Sequence, residues 1–410
     1  MTAKVVVLGA LDTKGIECQY LKDLIEKAGV PTLTVNTGVL GESYFQADVS
    51  STRVAELSGT RLERLIADYD RGKAVEAMMN GAIKLVKELH HKGEVLGIIG
   101  IGGSAGTTIA SAAMQLLPIG MPKVMVSTIA SGNVQPYVGM KDITMMNTIA
   151  DISGLNRISR PILTNAAYAM IGMVQGELPK GEADKPVIAV SMFGVTTACV
   201  TAARGYLEQR GCEVVPFHAT GIGGKAMESF ISAGMISGVL DITTTEIADE
   251  VAGGLLSAGP ERLEAAGRRG IPQVVSVGAV DMANFAGPDT IPEHFRSRRL
   301  VKHNPTVTLM RTSVEENRLI GESIAFKLNQ SSTKTAVFLP LKGVSALDCE
   351  GMPFYGPEEN KALFSAIRNN LHADIELYEA DCHINEESFA IAMADKLLTL
   401  MEATHNQEEL

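Results

Sequence analysis

The 410-residue chain has no tryptophan, only five cysteines and too little positive charge to balance its acids: 36 Lys and Arg stand against 47 Asp and Glu, a formal net charge of −11. That deficit argues against a nucleic-acid surface, which needs clustered cations. One short basic cluster, Arg296, Arg298, Arg299 and Lys302, has acidic neighbours and reads as a solvated or interface helix end, with an anion contact as the alternative. The cysteines (Cys18, Cys199, Cys212, Cys349, Cys382) are odd in number, widely spaced and free of any CxxC, so reduced thiols and a cytoplasmic location are expected. No HExxH or HxxxH is present, and no metal site is expected. The opening apolar run, KVVVLGA, is short and soon followed by Asp and Lys; it reads as a first strand rather than a signal peptide. Val95–Pro122 is uncharged and long enough to span a bilayer, but Gly102, Gly103 and Gly106 interrupt it beside hydroxyl residues. It is expected inside a protein core, and no membrane partner is expected.

What the chain does have is regular alternation. Its length favours two domains, and a composition 46% hydrophobic and 20% charged is that of a globular protein. β-Branched runs alternate with amphipathic helical patterns, which predicts α/β domains, each a mostly parallel sheet flanked by helices. Strands are predicted at KVVVLGA, PTLTVNTG, EVLGIIG and MPKVMVS, then at PVIAVSM, GCEVVPFH, GVLDIT, QVVSVGA, TVTLMR and TAVFLPL. The polar segment GELPKGEADKP has a linker's composition and places the domains at 1–182 and 186–410. The second half repeats the plan of the first in pattern rather than in residue identity.

In open α/β sheets, ligands gather outside the carboxyl ends of the strands. IGIGGSAGTT lies at such an end: Gly102 and Gly103 are expected to adopt positive φ and admit a ligand to the backbone, and the next helix points its free N–H groups at the same spot. Ser104, Gly106 and Thr107 complete a phosphate cradle whose hydroxyls can also meet a phosphate-bound Mg2+. The same loop also reads as a tight turn for close helix–strand packing. An NAD fingerprint fails for want of an acid about 20 residues on, and a P-loop fails because ATGIGGKA has alanines at key positions. Two more strand-end loops share the edge. GALDTKG offers Asp12, Thr13 and Lys14 as carboxylate, hydroxyl and cation, or as a capped helix start, and STIASGN offers Ser127, Ser131 and Gly132.

These segments, together with HNPTVTLMRTSVEEN and FLPLKGVSALDCEGMPFYGPEEN, resemble the Tm-one-like ATP-binding domain family over essentially the whole chain. The resemblance implies two Rossmann-like domains, ATP bound by the first, and a homodimer; the nearly charge-free Val95–Met140 region agrees with a buried interface. It implies no reaction. In the second half, Lys342, Asp348, His303, Arg311 and His383 each follow a predicted strand. They are expected to converge in the cleft between the domains on an unidentified small-molecule ligand, the cations holding an anion and a histidine moving a proton. The expected function is an ATP-dependent or phosphate-handling enzyme of small-molecule metabolism; the alternative is a nucleotide-gated protein-binding module without turnover.

Overall fold

The computed structural model describes residues 2–177 and 185–408; most of the predicted linker, residues 178–184, lies outside the described residues. The chain divides into two compact units, Met1–Lys180 and Gly181–Leu410.

In the first unit five strands, β1 (Lys4–Gly9), β2 (Thr32–Asn36), β3 (Val95–Gly102), β4 (Lys123–Ser127) and β5 (Thr144–Asn147), form a sheet of order β2-β1-β3-β4-β5. Every pairing is parallel. The apolar runs of β1 and β3 are continuous because both faces are covered. Val6 and Leu8 pack with Met78 and Leu85 of helix Arg71–His91 and with Ile109 and Met114 of helix Ser104–Gln115. Val5 and Val7, one step out of phase, pack with Leu21 and Ile25 of helix Gly15–Lys27 and with Leu163 and Met170 of helix Ser159–Gln175. Val95–Pro122 is thus strand, turn and buried helix. Among the described residues, no helix is long and apolar enough to cross a membrane.

The second unit contains β6 (Val187–Met192), β7 (Glu213–His218), β8 (Gly238–Thr243), β9 (Gln273–Gly278), β10 (Met282–Phe285), β11 (Leu300–Asn304), β12 (Val307–Arg311), β13 (Thr335–Pro340) and β14 (Glu376–Ala380). Six of these make a parallel sheet of order β14-β13-β9-β8-β6-β7, while β10, β12 and β11 form a separate antiparallel sheet. The predicted strand TVTLMR is therefore β12 of the small sheet, paired through the turn at Pro305 and Thr306 with β11. The C-terminal helix Glu387–Glu408 packs Phe389, Met393 and Leu397 against the second unit's large sheet.

Both units are wound alike. In each, the second strand lies outside the first, and the chain then crosses back so that the third, fourth and fifth follow on the other side, with β14 a sixth in the second unit. The reversal of winding falls between β1 and β3 in one unit and between β6 and β8 in the other, and there the strand-end loops part to leave a crevice.

Candidate functional site at the carboxyl edge of the first unit

The loops after β1 and β3 flank the crevice of the first unit. Gly103 is the N-cap of helix Ser104–Gln115; it brings no side-chain cap, and the first helical turn holds no acidic residue. The first-turn N–H groups of such a helix lack intrahelical acceptors, so its positive pole faces the crevice with no acid in its own first turn. Neither Gly102 nor Gly103 takes the positive φ expected of them. Close approach explains the others instead: a Cβ on Gly102 would lie 2.8 Å from Gly106 Cα, and one on Gly100 would lie 2.5 Å from Ala110 Cβ. Gly103 differs, since the nearest atom to a Cβ there would be Thr128 Oγ1 at 3.6 Å. The close-packing reading thus accounts for Gly100, Gly102 and Gly106, and Gly103 is the position left open to a ligand.

Thr107 and Ser127 are buried and bonded to one another, Oγ to Oγ at 2.7 Å, which pins the helix start to the end of β4. Ser104, Ser131 and Gly132 are exposed. Asp12 accepts the Leu40 N–H on Oδ2 at 2.7 Å, and its Oδ1 is buried without a partner. The carboxylate lies over Gly38, where a Cβ would come within 2.4 Å of Oδ1. Thr13 is exposed. Lys14 does not stand free for a phosphate: its ammonium donates to the Ile152 carbonyl.

That bond belongs to a strap the sequence reading missed. From the end of the edge strand β5, where the Thr148 N–H donates to Ser127 O, residues 148–158 return to the helix that follows β1. There the Gly154 N–H donates to Glu17 Oε1 at 2.6 Å, beside the Lys14 contact. The strap spans the ends of β4 and β3. It opens on a strained turn: Ile149, β-branched and 81% exposed, holds φ +63°, and the Ala150 N–H closes back on Thr148 O at 2.6 Å. The polar, glycine-bearing run DISGLN after β5 was the available signal.

The five residues assigned to a second site all lie in the second unit, where their side chains take different partners. Arg311 is buried and donates to the carbonyls of Phe354 at 2.7 Å and Asp281 at 3.3 Å, and to Asn360 Oδ1 at 3.2 Å, with Asp348 3.6 Å away. Asp348 is buried too, and accepts from the Val344 and Gly356 amides and from Asn360 Nδ2. These two brace the loop between β13 and the next helix, because buried charges must be paired and hydrogen-bonded. His383 bonds Ser345 O through Nε2 at 2.9 Å, Lys342 is exposed and pairs with Asp381 at 3.0 Å, and His303 sits exposed on β11. Among the described residues, no hydrogen bond or ion pair joins these three side chains to the Arg311–Asp348 pair. Nearby Asp281 is buried, accepting Ser345 Oγ at 2.8 Å on Oδ2 with Oδ1 unpartnered; burial and the Asp348 carboxylate push its pKa up to about 7.

The crevice of the second unit is already filled. Glu246, in the first turn of helix Thr245–Ala252 after β8, accepts the Gly221 and Gly224 amides at 2.7 and 2.9 Å on Oε1 and Arg262 Nε at 2.7 Å on Oε2. Arg262, buried, also grips Asp241 at 2.5 and 2.7 Å and Glu228 at 3.2 Å.

Fold and topology together define a two-unit, doubly wound α/β protein. The chain belongs to the uncharacterised protein family UPF0261: the family's N-terminal domain model matches residues 3–179 and its C-terminal domain model residues 185–401. It is 54% identical over 403 residues to a UPF0261 protein of Clostridium tetani, covering 98% of this chain and 100% of that one. It is 38% identical over 431 residues to the ToMV resistance protein Tm-1(GCR237) of Solanum lycopersicum, covering 99% of this chain and 57% of the tomato protein. Among solved structures, the Streptomyces sp. SF2575 glycosyltransferase SsfS6 complexed with thymidine diphosphate aligns over the whole of both chains at 12% identity, but its TM-score of 0.19 carries no argument.

Proposed function

We propose that the chain is a nucleotide-binding protein that holds ATP by its phosphates at the carboxyl edge of the first unit. The observation that carries this reading is the helix start at Gly103, aimed into the crevice where the winding reverses, with no side-chain cap and no acid in its first turn. Backbone amides from Ser104 to Gly106 would take the phosphate oxygens, with the exposed Ser104 hydroxyl beside them. Among the described residues, no group of three or more His, Cys, Asp or Glu could hold a metal ion by itself. A Mg2+ here would therefore arrive on the phosphates, with Asp12 Oδ1 as the protein's carboxylate, a donor set that suits an ion normally shared between one or two carboxylates, water and phosphate.

Calorimetric titration of the full chain with ATP, with and without Mg2+, tests this. Saturable binding that is lost in a folded Gly103→Asp variant is expected, because the new carboxylate would cap the helix and occupy the phosphate position. Unchanged ATP affinity in that variant would overturn the reading.

A further inference from the structure

A pocket of about 640 Å³ opens in the second unit beside the carboxyl end of β13, in the size range of small-molecule sites. Phe364, Leu341 and Pro357 give it an apolar wall, and Tyr355, 42% exposed, stands at its side. Three cations line it, Lys342, Lys361 and Arg368, against one carboxylate, Glu350. Lys361, Ser365 and Arg368 follow one another at i, i+4 and i+7 along helix Pro357–Asn370, so they share a face. Among the described residues, Lys361 has no hydrogen-bond or ion-pair partner. Lys342 and Arg368 pair with Asp381 and Glu379, both in or just after β14; these pairs are solvent-exposed, hold little free energy and are easily exchanged for a ligand.

The pocket also has a fixed polar point. Asn360 lines it, and its amide is locked from behind, Nδ2 donating to Asp348 Oδ2 at 2.7 Å and Oδ1 accepting from Arg311 at 3.2 Å. The buried Arg311–Asp348 pair thus positions a pocket residue. Its amide keeps one N–H and one lone pair for a ligand.

We propose that this pocket binds a small oxyanion carried on an apolar, ring-sized body, a carboxylate or a phosphate monoester. Lys361 and the Arg368 fork meet the oxyanion, while Phe364 and Tyr355 cover the ring. Glu350 disfavours a polyanion, so the pocket suits one or two negative charges and not a triphosphate.

The absence of tryptophan elsewhere makes a local reporter available: in a Tyr355→Trp variant all indole emission comes from this pocket. The variant is titrated with phenyl phosphate, benzoate and the neutral benzyl alcohol, and calorimetry with the same probes on the unaltered chain controls for the reporter. A saturable emission change with one or both anions and none with benzyl alcohol is expected; whichever anion saturates distinguishes a phosphate ester from a carboxylic acid. Lys361→Ala should weaken binding about tenfold and Lys361→Arg restore it. Lys361 is exposed, so neither change threatens folding. ATP affinity should not move, which keeps this outcome separate from that of the nucleotide reading. Absence of a saturable response to both anions, in the reporter and in calorimetry alike, would overturn the proposal, as would binding that survives Lys361→Ala undiminished.

Discussion

The two units share a winding and differ in what stands where it reverses. After β8 the chain places Glu246, a carboxylate that satisfies two glycine amides and the buried Arg262. At the corresponding turn after β3 it places Gly103, and the first helical turn that follows has no acid. One crevice carries a carboxylate of its own; the first helical turn after β3 in the other carries none. Winding alone therefore does not make a ligand site: the two units differ in whether the first helical turn after the third strand carries an acid.

The strongest way to break this contrast is to empty the filled crevice. Glu246→Ala leaves Arg262 and two amides short of an acceptor, and should cost about 3–5 kcal/mol in urea unfolding. If Glu246 is the built-in counterpart of an external anion, formate should restore part of that loss in the variant and leave the unaltered chain unmoved. Next in size comes acidity. The folded pKa of Asp281, near 7, lies above its unfolded value near 4, so the folded state binds more protons between them. Its stabilising contribution is full below about pH 4 and is lost as pH rises through 7. Asp281→Asn should flatten the fall in melting temperature between pH 5 and 8, an effect on the order of 2 kcal/mol. In the first unit Asp142 has the opposite sign: burial raises its pKa, but the Lys123 ammonium at 2.7 Å and the Gly120 amide outweigh that and hold it low, so its contribution is lost as pH falls.

Smaller still, Ile149→Gly relieves a β-branched residue at φ +63° that buries little, and should stabilise by about 0.5–1 kcal/mol in thermal unfolding. The smallest stability change sharpens the contrast most. Gly103→Asp supplies an N-cap and should add a few tenths of a kcal/mol while abolishing ATP binding by calorimetry. A stabilised protein that has lost its ligand would be the first unit rebuilt in the manner of the second.

Much of the architecture was legible because parallel strands covered on both faces read as unbroken apolar runs; β1, β3, β8 and β9 announce themselves. β14 does not, since ELYEA is a half-exposed edge strand that carries two acids. Nor could a β-branched pattern say that β12 joins a second sheet, because pairing partners are set by the fold around them. At the candidate site, the glycine loop and Asp12 were legible from strand-end position and residue type. Lys14 was placed on a phosphate because a cation beside a cradle invites that reading, whereas its partner, the Ile152 carbonyl, lies 138 residues away and leaves no local mark. Arg311 ends β12 and Asp348 lies in the loop after β13, where a catalytic pair would stand, but burial turned them into braces. Lys361 and Arg368 were visible as a helical stripe and went unread, because charge at that spacing ordinarily marks a solvated face.

The strap from β5 to the first helix also bears on the order of events in time. Its two anchors, Lys14 to Ile152 and Glu17 to Gly154, join residues 138 and 137 apart in a unit that runs from Met1 to Lys180. Contacts of such range form late, and a segment of which only Ile152 is buried in the core is expected to open before the strands. Amide hydrogen exchange at 150–156 should therefore outpace that of β1, β3 and β4, and a bound nucleotide that orders the edge would slow the exchange of this segment before it altered any strand. The chain's last-closed turn would then double as the clock on its ligand's departure.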